Sequence, residues 1–510
     1  MHIKVWFLMF LGMLCFGISY AQIPTVSGIS RNAVSNLHGK GGRLWVGSQL
    51  NFTDDNGTSW KLASVDSIQK GRGSVYSLDA EGQVIWVGLG YSQRQKTTDS
   101  VEPVSQGFAF SEDGGQTWKF RLPALDAPQD SLLSYGVSVI KALPVTTPVQ
   151  SPPYDIDYDP VRGWVWTAGW AGGIRVSKDK GITWQRAILP PDSQSETDPN
   201  VPQFFYMTPV PKGKTRPGQE NHKGFSVLVD ETGTTWAGTS GGLNRSFDGV
   251  AWKKISFNGS LNGLLGNWIT SIEEQPSVGR NPIWVACWKA LDQKESFGVV
   301  VTRDGGQTFE QMLHGEKIYD FAFDGTSIYA AGDNGLFISH NDGRSWLSVR
   351  DFRDASQPDR YLRPSAKVYA VSMVNGALWV GMQDGLLRSL DQGKTWKLFR
   401  TEIPVNPSNP TNTIPKVDTY AYPNPFSPST DQVIRIRYDI TQSQQVTLRI
   451  FDFGMNLVRT LVAGETRNQG SREELWDGRD NRGIQVANGP YFYTVSSAEG
   501  TFRGKILVLE

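Results

Sequence analysis

Three carboxylates stand at alternate positions in one short segment, Asp155, Asp157 and Asp159 of Tyr-Asp-Ile-Asp-Tyr-Asp-Pro. Alternate residues of a β-strand share one face, so the three could act together. Carboxylate oxygens bind calcium, and a pair set across a cleft is what glycoside hydrolysis requires. Asp159-Pro160 is also a typical start of a turn. We favour the interpretation that these residues form a polar strand end that enters a turn.

Other reactive groups in the sequence are sparse. The five His residues form no His-x-His or His-x₃-His pair, so no zinc site is predicted. No glycine-rich phosphate loop stands between a strand and a helix. The charges balance, with 50 Lys+Arg and 50 Asp+Glu, so electrostatic attraction to nucleic acid or to an anionic membrane is not expected. We predict no catalytic residues, no cofactor and no metal.

Seven copies of a short motif, Ser/Thr-x-Asp-x-Gly-x-Thr/Ser-Trp, run through most of the chain and indicate a scaffold. The copy at Ser246 is one residue short, Phe309 replaces the Trp of another, and Asn341 replaces the Asp of a third. Self-similarity at a period of tens of residues is typical of repeat folds. We expect the acidic residue to accept hydrogen bonds from the turn backbone, the Gly to adopt special backbone angles, and the Trp to pack on a neighbouring sheet. The acidic or amide positions are Asp55, Asp113, Asp179, Asp248, Asp304, Asn341 and Asp391.

Each repeat is predicted to form four short antiparallel strands. In the last one, Tyr369–Met373 is followed by the tight-turn dipeptide Asn375-Gly376 and then by Leu378–Gly381. A second strand of this kind, such as LWVG or IWVG, also recurs seven times. The sequence therefore predicts an all-β chain whose residues 22–400 form a seven-bladed β-propeller.

The repeated motif resembles the Asp-box of bacterial neuraminidases. That repeat occurs in sialidases, sortilin-type receptors, photosystem II assembly-factor propellers and xyloglucan-cleaving two-propeller glycosidases, so the resemblance implies the fold and leaves enzyme and binder open. A sialidase would need an arginine cluster, a Tyr nucleophile and an acidic partner. Phe120-Arg121-Leu122-Pro123 is similar to the sialidase Arg motif but follows the second repeat. We interpret Arg121, Arg175, Arg245 and Arg388 as structural or solvent-facing.

The two faces of the propeller should differ. The repeated motif marks one face, and four long insertions belong to the other: Gly90–Gln106, Leu122–Pro153, Ile188–Lys223 and Trp288–Ser296. Their composition predicts loops, and long loops often carry function. Residues after the second strands should approach the mouth of this face, where a sugar or peptide could bind. The candidate ligand-binding residues are Tyr91, Trp170, Trp288, Asp333 and Asp384. Packing between blades is the alternative for Trp170 and Trp288.

Residues 1–21 are predicted to be a signal peptide, with Lys4 before an apolar run and Ser19-Tyr20-Ala21 at the cleavage site. Cleavage would leave Cys287 as the one remaining cysteine, so no intramolecular disulfide is expected. Cys287 follows an apolar run, which predicts a buried, inert thiol. No transmembrane span is expected in the mature chain.

Residues 401–419 carry Pro404, Pro407, Pro410 and Pro415 and are predicted to form an extended linker. Residues 420–510 then show strands with period-two alternation, which predicts an Ig-like β-sandwich. Three of its segments, Tyr422–Phe426, the Trp-Asp-Gly-x-Asp-x-x-Gly run and Asn488–Tyr493, resemble the Ig-like domain of the flagellar hook-capping protein. They are also similar to type A C-terminal sorting domains of type IX secretion. The resemblance implies a partner, the type IX secretion machinery, and a Gram-negative host.

Three functions remain open from the sequence. The first is a secreted or surface-displayed propeller that binds a glycan or protein on its loop-rich face. The second is a secreted glycosidase, sialidase-like or xyloglucanase-like, with carboxylates at the mouth. The third is an extracellular docking scaffold, which would present a flat apolar patch. We favour the non-catalytic binding protein, located outside the cell or on its outer surface.

Overall fold

The computed structural model describes residues 23–26, 28–47, 49–63, 74–95, 100–210, 218–279, 281–358, 360–362, 366–400, 418–431 and 433–509. Strands dominate both parts of the molecule. The helices in these ranges are one 3₁₀ turn, Glu220–His222, and one α-helical turn, Pro428–Asp431. No helix in the described ranges has the length and apolarity needed to cross a membrane. The predicted signal peptide and most of the predicted linker lie outside the described residues.

Seven antiparallel sheets follow one another along the chain, each with four strands in sequence order. We number them as blades 1 to 7 and call the first strand of each blade its inner strand. The strands are Leu37–Lys40, Arg43–Val46, Asn51–Thr53 and Trp60–Leu62 in blade 1; Ser74–Glu81, Val84–Arg94, Val101–Ser111 and Lys119–Arg121 in blade 2; Asp155–Asp159, Trp164–Gly169, Gly173–Ser177 and Gln185–Arg186 in blade 3; Gly224–Val229, Thr235–Thr239, Leu243–Ser246 and Trp252–Ile255 in blade 4; Trp268–Glu274, Ile283–Trp288, Gly298–Thr302 and Glu310–Met312 in blade 5; Ile318–Asp324, Ser327–Gly332, Gly335–Ser339 and Leu347–Val349 in blade 6; and Val368–Val374, Ala377–Met382, Gly385–Ser389 and Lys397–Phe399 in blade 7.

Consecutive inner strands contact each other around the ring, and the inner strand of blade 7 contacts that of blade 1. The fold is therefore a closed seven-bladed propeller, as the sequence predicted. Two blades carry an additional strand on their fourth strand: Thr25–Val26 pairs with blade 1, and Glu196–Thr197 pairs with blade 4.

Three of the insertions contain strands, so their interpretation as plain loops is wrong. Gly90–Gln106 lengthens the hairpin of blade 2, with Tyr91 opposite Val104 and Arg94 opposite Val101. The next two insertions share a small sheet built from Leu132–Tyr135, Ser138–Ala142 and Tyr206–Met207. Two inserted segments far apart in sequence thus support each other on the loop-rich face.

The repeated motif forms the turn between the third and fourth strands, with the hydrogen bonds predicted for it. In blade 1 the Thr53 hydroxyl accepts from the Gly57 N–H at 2.8 Å and donates to Asp55 Oδ1 at 2.9 Å. Asp55 also accepts from the Ser59 N–H at 2.8 Å and the Ser59 hydroxyl at 2.6 Å. Blade 6 makes the same turn with Asn341, whose Oδ1 accepts from the Ser345 N–H at 2.9 Å.

The motif glycine and the second-strand Trp form one contact between neighbouring blades. Gly115 has φ +88°, which favours glycine, and a Cβ there would lie 2.7 Å from Trp45 Cη2 in the preceding blade. The same arrangement closes the ring, because a Cβ on Gly57 of blade 1 would lie 2.9 Å from Trp379 Cη2 of blade 7. Trp60, the motif Trp of blade 1, also packs edge-on against Trp379 with ring centroids 5.9 Å apart.

The second part of the chain is an Ig-like sandwich with two sheets. Thr419–Tyr422, Ile434–Ile440 and Gly470–Trp476 form a three-stranded sheet. Gln444–Phe451, Leu457–Arg467, Gly489–Ser497 and Gly500–Val508 form a four-stranded sheet. The side chains between the two sheets form a separate apolar core that includes Ile436, Leu448 and Trp476.

Candidate functional site

The inner strands enclose a central channel with a volume of 610 Å³. Its wall is polar near the face marked by the repeated motif and aromatic near the loop-rich face, where the inner strands begin. Ten carboxylate side chains line it, among them Asp79, Asp155, Asp157, Glu273 and Asp320.

Four of these carboxylates hold the inner strands together. An inner strand is the edge of its sheet, so part of its backbone N–H groups have no partner within the blade. Asp79 of blade 2 accepts from the Tyr158 N–H of blade 3 at 2.8 Å, and Asp155 accepts from the Val227 N–H of blade 4 at 2.9 Å. Asp157 accepts from the Val229 N–H, and Asp320 of blade 6 accepts from the Val371 N–H of blade 7 at 2.9 Å. These carboxylates therefore have a structural role.

Enclosure in the channel changes how these groups titrate. Burial and then the nearby Asp79 raise the pKa of Asp155 to about 7, against the effect of its backbone hydrogen bonds. Burial and then Asp155 raise the pKa of Asp320 to about 7. Burial and the charge of Asp79 also raise the pKa of Asp157 well above its ordinary value. The channel is therefore less acidic at neutral pH than its composition indicates.

Asp159, the third carboxylate of the segment, forms the turn predicted for it. Its Oδ1 accepts from the N–H groups of Val161 and Arg162 at 2.9 and 3.0 Å, and its Oδ2 pairs with the Arg162 guanidinium at 3.0 Å. Among the described residues, no group of three or more His, Cys, Asp or Glu side chains has the arrangement of a metal site.

Bulges in the inner strands direct aromatic side chains to the mouth of the channel. The pairing of the inner strand with the second strand shifts by one residue in five blades: at Tyr76 in blade 2, Phe225 in blade 4, Thr270 in blade 5, Tyr319 in blade 6 and Tyr369 in blade 7. A β-bulge leaves an additional residue unpaired and re-aims its side chain. In blade 3, Tyr154 takes the corresponding place, one residue before the inner strand begins.

These residues form a continuous series of ring contacts, which we call the aromatic arc. Its members are Tyr76, Tyr154, Phe225, Trp268, Trp288, Tyr319 and Tyr369, with successive ring centroids 6.3, 5.7, 5.0, 5.4, 5.4 and 5.4 Å apart. All are half-buried. The arc passes through blades 2 to 7 on the loop-rich side of the channel. In blade 1 the polar Asn36 lines the channel before the inner strand.

A polar group adjoins the arc in blade 6. The Tyr319 hydroxyl donates to Asp333, and Lys367 Nζ lies 2.8 Å from the same carboxylate. Burial opposes ionisation of Asp333, but the bonds from Lys367 and Tyr319 outweigh it and lower its pKa. Burial and then the hydrogen bond to Asp333 raise the pKa of Tyr319, so this hydroxyl is held as a donor.

The structure brings together two of the five predicted ligand-binding residues. Trp288 belongs to the arc, and Asp333 binds its neighbour Tyr319. Trp170 lies apart in a turn of blade 3, where Lys223 Nζ is 5.4 Å from its ring centre. Tyr91 lies on the lengthened hairpin of blade 2. Asp384 is buried in an ion pair with Arg435 of the C-terminal domain, so it is not free to meet a ligand.

The four arginines considered for a sialidase site are dispersed. Arg175 is buried and pairs with Asp126 at 2.7 Å, and Arg121 donates to the Lys180 carbonyl at 2.8 Å. Arg388 donates to the Asn56 carbonyl across the closure of the ring, and Arg245 lies over the ring of Phe247 at 5.7 Å. Cys287 is fully buried, as predicted, and burial raises its pKa to about 11.

Sequence reasoning missed most of the arc. It placed the mouth at the ends of the second strands, whereas the bulges bring the starts of the inner strands there. One signal was present: an aromatic residue opens the inner-strand segment of six consecutive repeats, from Tyr76 to Tyr369.

Comparisons with known proteins support the two-part architecture. A family model described as the FlgD Ig-like domain matches residues 427–501.

Among solved structures, PorZ, a surface component of the type IX secretion system of Porphyromonas gingivalis, is 13% identical with a TM-score of 0.35, covering 94% of this chain and 75% of that one. The GH74 enzyme of Niastella koreensis is 12% identical with a TM-score of 0.49, covering 96% and 75%. YCF48 from Cyanidioschyzon merolae is 17% identical with a TM-score of 0.41, covering 72% and 98%. No curated protein matches the sequence. The family match supports an Ig-like domain at residues 427–501.

Proposed function

We propose that this chain is a secreted or surface-displayed propeller that binds a glycan or protein without catalysis, through the aromatic arc. The observation that carries the proposal is the arc itself. Five inner strands have a bulge, which carries Thr270 in blade 5 and an aromatic residue in the other four blades. The rings of Phe225, Tyr319 and Tyr369 line the channel. Half-buried rings with a few polar groups beside them are typical of ligand sites.

Four of the channel carboxylates favour binding over hydrolysis. A glycosidase needs an acid and a second carboxylate across a cleft. Asp79, Asp155, Asp157 and Asp320 are instead engaged with the backbone of the next blade. Asp333, the carboxylate beside the arc, is bonded to Lys367 and Tyr319. A glycosidase remains the alternative if hydrolysis is observed.

A glycan array probed with the purified protein tests this function, with hydrolysis of each hit followed in parallel. Phe225→Ala removes a ring in contact with Tyr154 and Trp268 and should weaken binding at least about 10-fold. Phe204→Ala is the matched control, because Phe204 is 87% exposed on an insertion. Equal loss in both variants, or release of sugar products, would count against the proposal.

For export, we propose that residues 420–510 address the protein to the type IX secretion machinery. The support is the set of motifs shared with sorting domains, together with the N-terminal signal. Deleting residues 420–510 should leave the propeller in the periplasm, as detected by cell fractionation. Arrival of the truncated protein at the surface would refute this route.

A further inference from the structure

The three-stranded sheet of the C-terminal domain carries a charged residue where solvent is expected. Ile434 and Ile436 of one strand belong to the core, so the residue between them, Arg435, points to the opposite face of the sheet. In an isolated sandwich this face would be wet. The Arg435 side chain is nevertheless only 3% exposed, because the propeller covers it.

Arg435 enters a network that joins the two domains. Its guanidinium pairs with Asp384 of blade 7, with Nε 3.3 Å from Oδ1. It also lies 3.5 Å from Glu473 Oε2 on the neighbouring strand. Glu473 pairs in turn with Arg400, which follows the last strand of blade 7, at 2.7 Å. Arg400 also donates to the Tyr361 carbonyl at 2.8 Å.

The network is neutral in total and each charge is compensated. The side chains of Arg400, Arg435, Asp384 and Glu473 are 0, 3, 9 and 10% exposed. Burial would favour a neutral Glu473, but the charges of Arg400 and Arg435 outweigh it and lower its pKa. The Tyr422 hydroxyl donates to the same carboxylate. Separating the domains would expose these four groups to water and break the two pairs that cross the interface, Arg435–Asp384 and Arg400–Glu473.

We propose that the C-terminal domain is a permanently docked partner of the propeller, retained even when the linker is cut. Close, desolvated charge pairs fix the register of an interface, and some contribute net affinity, so the network favours one docked arrangement without covalent connection. Asp384 lies in a turn of the loop-rich face, and the domain therefore occupies part of that face. Its four-stranded sheet, on the far side of the sandwich, stays accessible to other proteins.

This inference does not depend on the proposed ligand or route of export. A sorting domain that acts only as a removable label needs no buried contact with its cargo. A docked domain stays with the propeller and covers part of the loop-rich face, so a ligand can approach only the uncovered part.

The test uses the full chain with a site for a sequence-specific protease placed at residues 406–411. After cleavage, size-exclusion chromatography and surface-immobilised binding measure whether the two pieces remain together. We expect the wild-type pieces to co-elute, and Arg435→Asp to raise their Kd by at least about 100-fold, as expected for a buried pair that is broken. Arg449→Asp is the matched control, because Arg449 is exposed on the four-stranded sheet.

A second pair of variants separates docking from folding. Asp384→Arg alone should release the domain, and Asp384→Arg combined with Arg435→Asp should restore part of the affinity. Circular dichroism of the released pieces checks that each is folded. Separation of the folded wild-type pieces at micromolar concentration would overturn the inference. An equal loss of affinity in Arg449→Asp and Arg435→Asp would also overturn it.

Discussion

Carboxylates in two regions of the propeller accept backbone N–H groups, yet they titrate in opposite directions. In the motif turn of blade 7, burial opposes ionisation, but the bonds from Thr395, Ser389 and Lys394 together outweigh it and lower the pKa of Asp391 to about 2. In the channel, burial raises the pKa of Asp155 to about 7 despite two backbone hydrogen bonds. Hydrogen bonds from backbone N–H groups therefore keep the carboxylate ionised in the motif turn. In the enclosed channel the same kind of hydrogen bond does not outweigh the cost of burying the charge.

The difference also separates two kinds of role. The motif carboxylate shapes one turn inside one blade. The channel carboxylate joins two blades, because its oxygen accepts a hydrogen bond from an unpaired backbone N–H on the next inner strand. A carboxylate in a propeller channel thus needs no catalytic explanation when an unpaired N–H lies opposite it.

The largest expected effect is in the pH dependence of stability. The channel carboxyls have raised pKa values, so the folded protein favours their protonated form. Their contribution to the free energy of unfolding is complete below about pH 4 and is lost as pH rises through 7. The motif groups have lowered pKa values, so their contribution is lost as pH falls from 4 toward 2. Urea unfolding midpoints should therefore be highest near pH 4 to 5 and fall on both sides. A flat profile between pH 5 and 7 would contradict the difference between the two regions.

Removal of a motif carboxylate should have the next largest effect. Asp391→Ala leaves the Thr395 and Lys394 N–H groups without their acceptor and should cost about 1–2 kcal/mol in the free energy of unfolding. Asp391→Asn is the control, since blade 6 makes this turn with Asn341. Binding to any array ligand should be unchanged in both. Loss of binding at unchanged stability would show that the turn belongs to a site.

The smallest effect should have the opposite sign. Asp157→Asn keeps an oxygen for the Val229 N–H and removes a charge near Asp79 and Asp155. At pH 8 we expect this variant to be more stable than the wild type, by about 1 kcal/mol. At pH 4 the gain should vanish because the wild-type carboxyl is protonated. Destabilisation at pH 8 would show that the charge of Asp157 supports the fold.

The blade count could be predicted because each blade is built from one local segment. Its turn motif and its second strand both recur in the same order in every blade. The strands that pair are therefore close in sequence, and no long-range pairing has to be predicted. The seven copies predicted the architecture, and the period-two pattern around Ile434 and Ile436 predicted the sandwich strand.

The bulges behind the arc and the interdomain network could not be predicted, for physical reasons. A bulge at Phe225 or Tyr319 is a one-residue shift between two paired strands, and no single residue type specifies it. Arg435 and Asp384 lie 51 positions apart, in different domains. The position of Asp384 after a second strand therefore predicts a ligand group, whereas the structure has a buried ion pair there.

The contact that closes the ring has a consequence for the order of the blades. Trp379 of blade 7 meets Gly57 of blade 1 as Trp45 meets Gly115 one blade later. The junction between the first and last blades is thus chemically equivalent to an ordinary junction. A circularly permuted chain that starts at another blade would keep all these Trp–Gly contacts between blades. The ring itself therefore does not require the chain to start at blade 1.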